Sequence, residues 1–242
     1  MTISHQATVG ETVAQDYRAA AVFEKYGIDF CCKGQLSIDE ACERKKVLPE
    51  DVIRDLKLLN TTQGGIRYEQ LSLSDLADHI EGTHHRYIRE KSPLIQRYLD
   101  KICAVHGDRH PELYEINQLF AASQVELANH MKKEELILFP RIRATEQSAV
   151  AAAGINLPIT GILKNPIAMM MTEHETEGDR FHSISVLTHG YQPPADACNT
   201  FRVTYGLLQE FEHDLHLHIH LENNILFPKA MRIEKDWPNL LR

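Results

Sequence analysis

His130 and Glu134 lie four residues apart and run into Ile137-Leu138-Phe139-Pro140; His218, Glu222 and Ile225-Leu226-Phe227-Pro228 repeat this pattern 88 residues later. A single histidine precedes each copy, His85 by 45 residues in the first and His174 by 44 in the second. On a helix, positions i and i+4 share a face one turn apart, so each pair aims an imidazole and a carboxylate at the same region. Two such pairs and two single histidines, facing inward from four helices, make a pocket of four imidazoles and two carboxylates: a dinuclear metal site. Imidazole and carboxylate together suit iron, zinc, manganese or copper. Six ligands exceed what one tetrahedral zinc uses. If each glutamate bridges two ions and an oxide or hydroxide joins them, each ion keeps one open position, an arrangement that fits di-iron.

The elements that must position these residues read as helices throughout. Residues 1–62 form a small helical domain. Glu11 to Tyr26 carries Val13, Tyr17, Ala20, Ala21 and Phe23 at helical spacing, with Gly27 at the end of the helix. A short loop, Ile28-Asp29-Phe30-Cys31-Cys32-Lys33-Gly34, follows. Ser37 with Glu40 has capping-box spacing for a second helix, and Pro49 suits the first turn of a third. Asn60 to Gly65 is polar and glycine-rich, the boundary with a second domain over residues 68–242. There the pattern predicts four long segments. The first runs from Ser72 to Val105, with Pro93 as a kink, and the second from Pro111 to Thr145. After a connector from Ser148 to Lys164, a third is capped by Asn165, has Pro166 in its first turn and ends near His189; the fourth runs from Asp196 to Lys235. With no β-alternation, the expectation is an all-α chain: a small helical domain and then an up-down-up-down four-helix bundle.

A formal charge of −8 and a pI near 5.9 argue against nucleic acid or an anionic membrane as partner. No apolar run reaches the roughly 18 residues of a spanning helix, and the first ten residues lack the marks of a signal peptide. The odd count of five cysteines suits a reducing compartment, so a cytoplasmic protein is expected.

The order His, His-x-x-x-Glu, His, His-x-x-x-Glu with its Ile-Leu-Phe-Pro tails resembles the hemerythrin-like di-iron bundles. Asp29-Phe30-Cys31-Cys32-Lys33-Gly34 is similar to the Cys-Cys signature of the small domain fused to such bundles in the RIC family, the repair-of-iron-centres proteins. The resemblance implies two oxo- or hydroxo-bridged irons on His85, His130, Glu134, His174, His218 and Glu222. His84 cannot share the inward position of His85, because adjacent helical residues point about 100° apart; it is expected behind the ligands or at the surface. His79, His216 and His220 are expected to be solvated or to support the ligands. Glu126 and Asp214 each stand four residues before a ligand histidine, and Glu173 precedes His174. Such acids would orient imidazoles or line an exit path for iron, and the resemblance gives weight to Glu126 and Glu173. Lys33 beside Cys31 and Cys32 would lower a thiol pKa, which suits a dithiol that accepts iron or nitric oxide or exchanges electrons. Cys42, Cys103 and Cys198 read as small apolar residues.

The function so implied is repair of iron–sulfur clusters damaged by nitric oxide or oxidants, by supplying iron to damaged proteins, with the Cys-Cys domain in transfer or docking. The open iron positions would also bind nitric oxide or oxygen, and reduction of nitric oxide stays open. The rival reading is a di-iron sensor or binding protein for these gases without a repair role, and a third is a thiol-regulated iron store. A homodimer, in which the Cys-Cys domain reaches a neighbouring subunit, is compatible with either.

Overall fold

Every regular element among the described residues of the computed structural model, which are 4–59, 67–150 and 161–240, is helical. Short helices come first: α1 Val9–Gln15, α2 Ala19–Lys25, α3 Ile38–Lys45 and α4 Pro49–Leu59. Then come α5 Leu73–Ile80, α6 Arg86–His106, α7 Glu112–Lys133, α8 Phe139–Val150, α9 Lys164–Leu187, α10 Asn199–Leu221 and α11 Phe227–Leu240. The linker expected at Asn60–Gly65, and residues 151–160 of the connector, lie outside the described residues.

The chain divides into two compact units, one of residues 79–140 and 168–215, the other of 1–78, 141–167 and 216–242. In the first of these, Gln96 and Asp100 of α6 meet Asn117 of α7, while Glu135, beyond the end of α7, meets His85 and Arg89. Contacts that fall in one partner as they rise in the other mean antiparallel helices. Ser123 to Glu177 and His130 to Glu173 make α7 and α9 antiparallel, and His84 to Asp214 with His106 to Cys198 do the same for α6 and α10. Up-down-up-down order follows. Phe120, Phe181 and Phe211 meet at its centre, with ring centroids 5.4 Å apart for Phe120–Phe211 and 5.5 Å for Phe181–Phe211. Such aromatic pairs add about 0.5–1.5 kcal/mol each beyond the area they bury.

In the other unit the helix expected over Glu11–Tyr26 is broken. The Asp16 carboxylate accepts from the Arg18 backbone N–H at 3.1 Å and from Arg18 Nε at 2.8 Å, and Asp16 takes extended angles. This local side-chain turn outcompetes the helical ladder. Gly27 ends α2 as expected, at φ +64°; its N–H bonds the Glu24 carbonyl and that of Ile28 bonds the Phe23 carbonyl. These are the paired bonds of a Schellman ending, and they aim the chain into the Cys-Cys loop. The Ser37–Glu40 capping box forms, and Thr8–Glu11 makes another at the head of α1.

Asn165 does not cap the third long segment, because α9 already begins at Lys164. Glu234 of α11 serves instead, accepting from the Ile162 and Leu163 N–H groups at 2.8 and 3.1 Å. Glu146 of α8 does the same for α5, accepting from the Leu73 and Ser74 N–H groups at 2.7 and 3.0 Å. Glu146 and Glu234 are themselves 88 residues apart. The duplication therefore includes a tertiary cap, each one satisfying donors that a helix start leaves open.

Candidate metal centre and the dithiol loop

Three of the long segments widen into π-helical turns at Glu81–His85, Glu134–Leu138 and Glu222–Leu226. The Phe139 N–H reaches the Glu134 carbonyl and the Phe227 N–H the Glu222 carbonyl, five residues back in each case. Pro140 and Pro228 follow immediately. A proline cannot donate to the ladder, and here it stands where the spacing returns from five residues to four. The helices continue through both prolines, which neither end them nor leave a long break. Single π-turns of this kind concentrate at functional sites, and each one here begins or ends on an expected ligand.

His85, His130, Glu134, His174, His218 and Glu222 are all buried. In the first unit described, Glu134 turns one oxygen to His130 Nε2 at 3.2 Å and the other to His85 Nε2 at 3.3 Å. His174 Nε2 lies 3.0 Å from His130 Nε2. In the other unit His218 Nε2 and Glu222 Oε1 are 3.1 Å apart, the same i,i+4 arrangement. Two ligands bound at about 2.1 Å in adjacent octahedral positions stand about 3.0 Å apart, and about 3.4 Å across a tetrahedral angle. The distances of 3.0–3.3 Å fall within that range.

The outward ring nitrogens decide what the inward ones offer. His130 Nδ1 lies 2.8 Å from Glu173 and His85 Nδ1 lies 2.7 Å from Glu135. An ionised carboxylate only accepts, so both rings keep a proton on Nδ1, which leaves Nε2, the nitrogen facing Glu134, as the one that could bind a metal. Burying an ionised carboxylate costs several kcal/mol unless charge compensates it. A cation between the Glu134 oxygens and these nitrogens supplies that compensation, so the donor set fits a metal. Phe139 also serves the site, its ring stacking on that of His85 at 5.8 Å.

The supporting acids are only partly the expected ones. Glu126 is exposed, one turn before His130. Glu173 supports His130 on another helix rather than its neighbour His174, and it also pairs with Lys133. Glu135, which spacing did not single out, supports His85 and pairs with Arg89. Asp214 lies 3.0 Å from Nδ1 of His84, which is buried rather than solvent-facing. His220 is buried as well, its ring 5.7 Å from Phe30, and burial pushes its pKa down to about 4.

The hydrogen bond from His130, together with Lys133, holds the Glu173 carboxyl down at about 2 against some opposing burial. A depressed carboxyl stabilises the fold fully above its unfolded pKa of about 4.3 and loses that effect as pH falls toward the folded value. Glu173→Gln is therefore expected to reduce the loss of metal-free stability between about pH 4.3 and 2. Urea denaturation followed by helical circular dichroism measures it, and an unchanged acid limb would refute it.

Cys31 and Cys32 sit in a loop that Asp29 closes, its Oδ1 accepting from the Cys31 and Cys32 N–H groups at 3.1 and 2.9 Å. Lys33 is exposed and does not lower the Cys31 thiol. A hydrogen bond with Cys32, then burial and the Asp29 charge, push that thiol up. The loop rests on the π-turn that begins at Glu222: Asn224 Nδ2 donates to the Cys31 carbonyl at 3.0 Å and the Phe30 carbonyl at 3.3 Å, and Asn223 reaches the Cys31 carbonyl at 3.4 Å. A Cβ on Gly10 would stand 2.7 Å from Asn224 Oδ1, and one on Gly34 closer still, so both glycines are needed for this approach. Of the remaining cysteines, Cys42 and Cys103 are buried as expected, whereas Cys198 is exposed and 3.2 Å from His106 Nε2.

Residues 76–230 match the hemerythrin HHE cation binding domain, and residues 5–60 match ScdA_N, a domain described as of unknown function. The chain is 32% identical over 228 residues to the iron–sulfur cluster repair protein ScdA of Staphylococcus haemolyticus, covering 94% of this chain and 99% of that one. It is 34% identical to the iron–sulfur cluster repair protein YtfE of Pectobacterium carotovorum, covering 94% and 97%. Identity to the protein of that name from Escherichia coli O8 is 32%, covering 92% and 96%. No helix among the described residues is long and apolar enough to cross a membrane.

Proposed function

The chain belongs to the family of ScdA and YtfE iron–sulfur cluster repair proteins, built on a hemerythrin HHE cation-binding domain, and from that membership we propose that it restores damaged iron–sulfur clusters by supplying iron. His85, His130, Glu134, His174, His218 and Glu222 hold two irons in this reading, and damaged iron–sulfur proteins receive them. The observation that carries it is Glu134, fully buried with each oxygen facing a different imidazole. One carboxylate facing two imidazoles is a donor set that would hold metal ions, and the same His-x-x-x-Glu pair recurs at His218 and Glu222. Bound iron brings Lewis acidity and an open position for a small ligand such as nitric oxide or oxygen.

The protein's own groups hold the site and release it. Glu135 and Glu173 keep a proton on Nδ1 of His85 and His130, which fixes both rings with Nε2 inward. Any loosening of those bonds weakens metal binding, by about 10–100-fold for a lost outer partner. Glu173 is part-exposed and Glu126 exposed one turn before His130, so both offer oxygens to an iron ion on its way out. Cys31 and Cys32, held on the Glu222 segment, offer thiols for transfer or docking.

The test is anaerobic incubation of the iron-loaded protein with an iron–sulfur enzyme damaged by nitric oxide. Recovery of the client's activity is expected with loaded protein and not with protein stripped of metal. Full iron occupancy without recovery would support a gas-binding or sensing role instead.

A further inference from the structure

Two thiols and a carboxylate that no helix of the metal centre contributes lie together in the amino-terminal loop. Cys31 Sγ is 3.7 Å from Cys32 Sγ and 3.3 Å from Asp29 Oδ1, and ligand atoms of all three residues fall within 4.8 Å of one another. Neither cysteine is in a disulfide. Two thiolates bound at about 2.3 Å across a tetrahedral angle stand about 3.7–3.8 Å apart, and a thiolate and a carboxylate oxygen about 3.5 Å apart. Two of the three donor-to-donor distances thus already match a tetrahedral site, and the third lies within 4.8 Å.

The donors are also fixed in place. Asp29 Oδ1 accepts backbone N–H groups from Cys31, Cys32 and Lys33, which orients the carboxylate whatever the state of the thiols. Asn224 and Asn223 grip the backbone carbonyls on the far side. Cys31 is buried, while Cys32 and Asp29 are part-exposed, so the three donors are rigid on one side and reachable from the other.

We propose that Asp29, Cys31 and Cys32 form a third, mononuclear cation site on this chain, for a borderline-soft divalent ion such as ferrous iron or zinc. Thiolates favour such ions over magnesium or calcium. Binding displaces the two thiol protons to solvent, leaving two thiolates and one carboxylate on the ion. The fourth corner stays open for water or for a ligand from a client. The site rests on loop geometry alone; its use as a stopping place for iron next to the Glu222 segment rests on the repair reading.

The test uses the full-length, iron-loaded, reduced protein titrated anaerobically with cobalt(II). One cobalt per chain is expected to give thiolate-to-cobalt charge-transfer absorption with the visible bands of a tetrahedral ion. Cys31→Ser and Cys32→Ser each abolish the charge transfer, and Cys198→Ser leaves it intact. Asp29→Asn retains the oxygen that caps the loop but loses the charge, so the loop stays folded and cobalt affinity falls by about tenfold or more. Absence of charge transfer in the wild type, its persistence in Cys32→Ser, or unchanged affinity in Asp29→Asn would each overturn the site. Client recovery is measured separately, so a failed repair assay with an intact cobalt signal would sink the repair reading and leave the site standing.

Discussion

His130→Ala is expected to strip iron from the bundle, and Glu222→Ala to do the same, whereas Glu173→Gln retains part of it. His130 Nε2 stands within 3.2 Å of both Glu134 and His174, so its removal takes a donor nitrogen from the point that three residues share. Glu222 makes the matching contact with His218 at 3.1 Å. Loaded wild type should carry about two irons per chain with the charge-transfer spectrum of an oxo-bridged pair, since six nitrogen and oxygen ligands suit two bridged ions better than one tetrahedral ion. Either ligand variant should fall well below one iron. Glu173 meets His130 at its outward nitrogen, and loss of such a partner costs about 10–100-fold in affinity rather than the site. Iron analysis with optical spectra measures all three. A single tight zinc in the wild type, unchanged in both ligand variants, would refute the dinuclear centre; complete loss of metal in Glu173→Gln would make Glu173 a ligand.

Cys31→Ala/Cys32→Ala is expected to leave the iron content and spectrum of the bundle unchanged while client recovery drops to the level of metal-free protein. The contacts that seat the loop make the first half of this expectation strong. Asn223 and Asn224 bind its backbone carbonyls, Asp29 binds its backbone N–H groups, and Phe30 packs on His220. None of these uses a thiol, so the double variant keeps the loop in place and removes only the sulfurs. The second half follows from the chemistry, because thiolate is the metal-binding and nucleophilic form of cysteine. Full recovery with the double variant would remove the dithiol from the reaction and leave Glu126 and Glu173 as the remaining candidates for iron exit.

The gathering of buried histidines and glutamates, the all-α class and most of the caps were legible in the chain, because they depend on spacings of three to five residues that a helix turns directly into a shared face. The duplication strengthened this: a lone His-x-x-x-Glu is commonplace, but the pair at His130 and Glu134 recurs at His218 and Glu222. The same offset could have exposed Glu146 and Glu234, yet nothing local says that these acids cap α5 and the start of α9, more than 70 residues away. Local pattern likewise joined Glu11 to Tyr26 in one helix, since apolar periodicity does not register the bond from Asp16 to Arg18 that interrupts it. Only the tertiary structure decided which acid serves which imidazole. Spacing pointed to Glu126, one turn from His130, but packing of α7 against α9 brings Glu173 there and leaves Glu126 exposed. Packing also set the Cys-Cys loop on Asn224, almost 200 residues from Cys31. Helical periodicity is written into neighbouring residues; the partners of a side chain that leaves its own helix are chosen by how the helices pack.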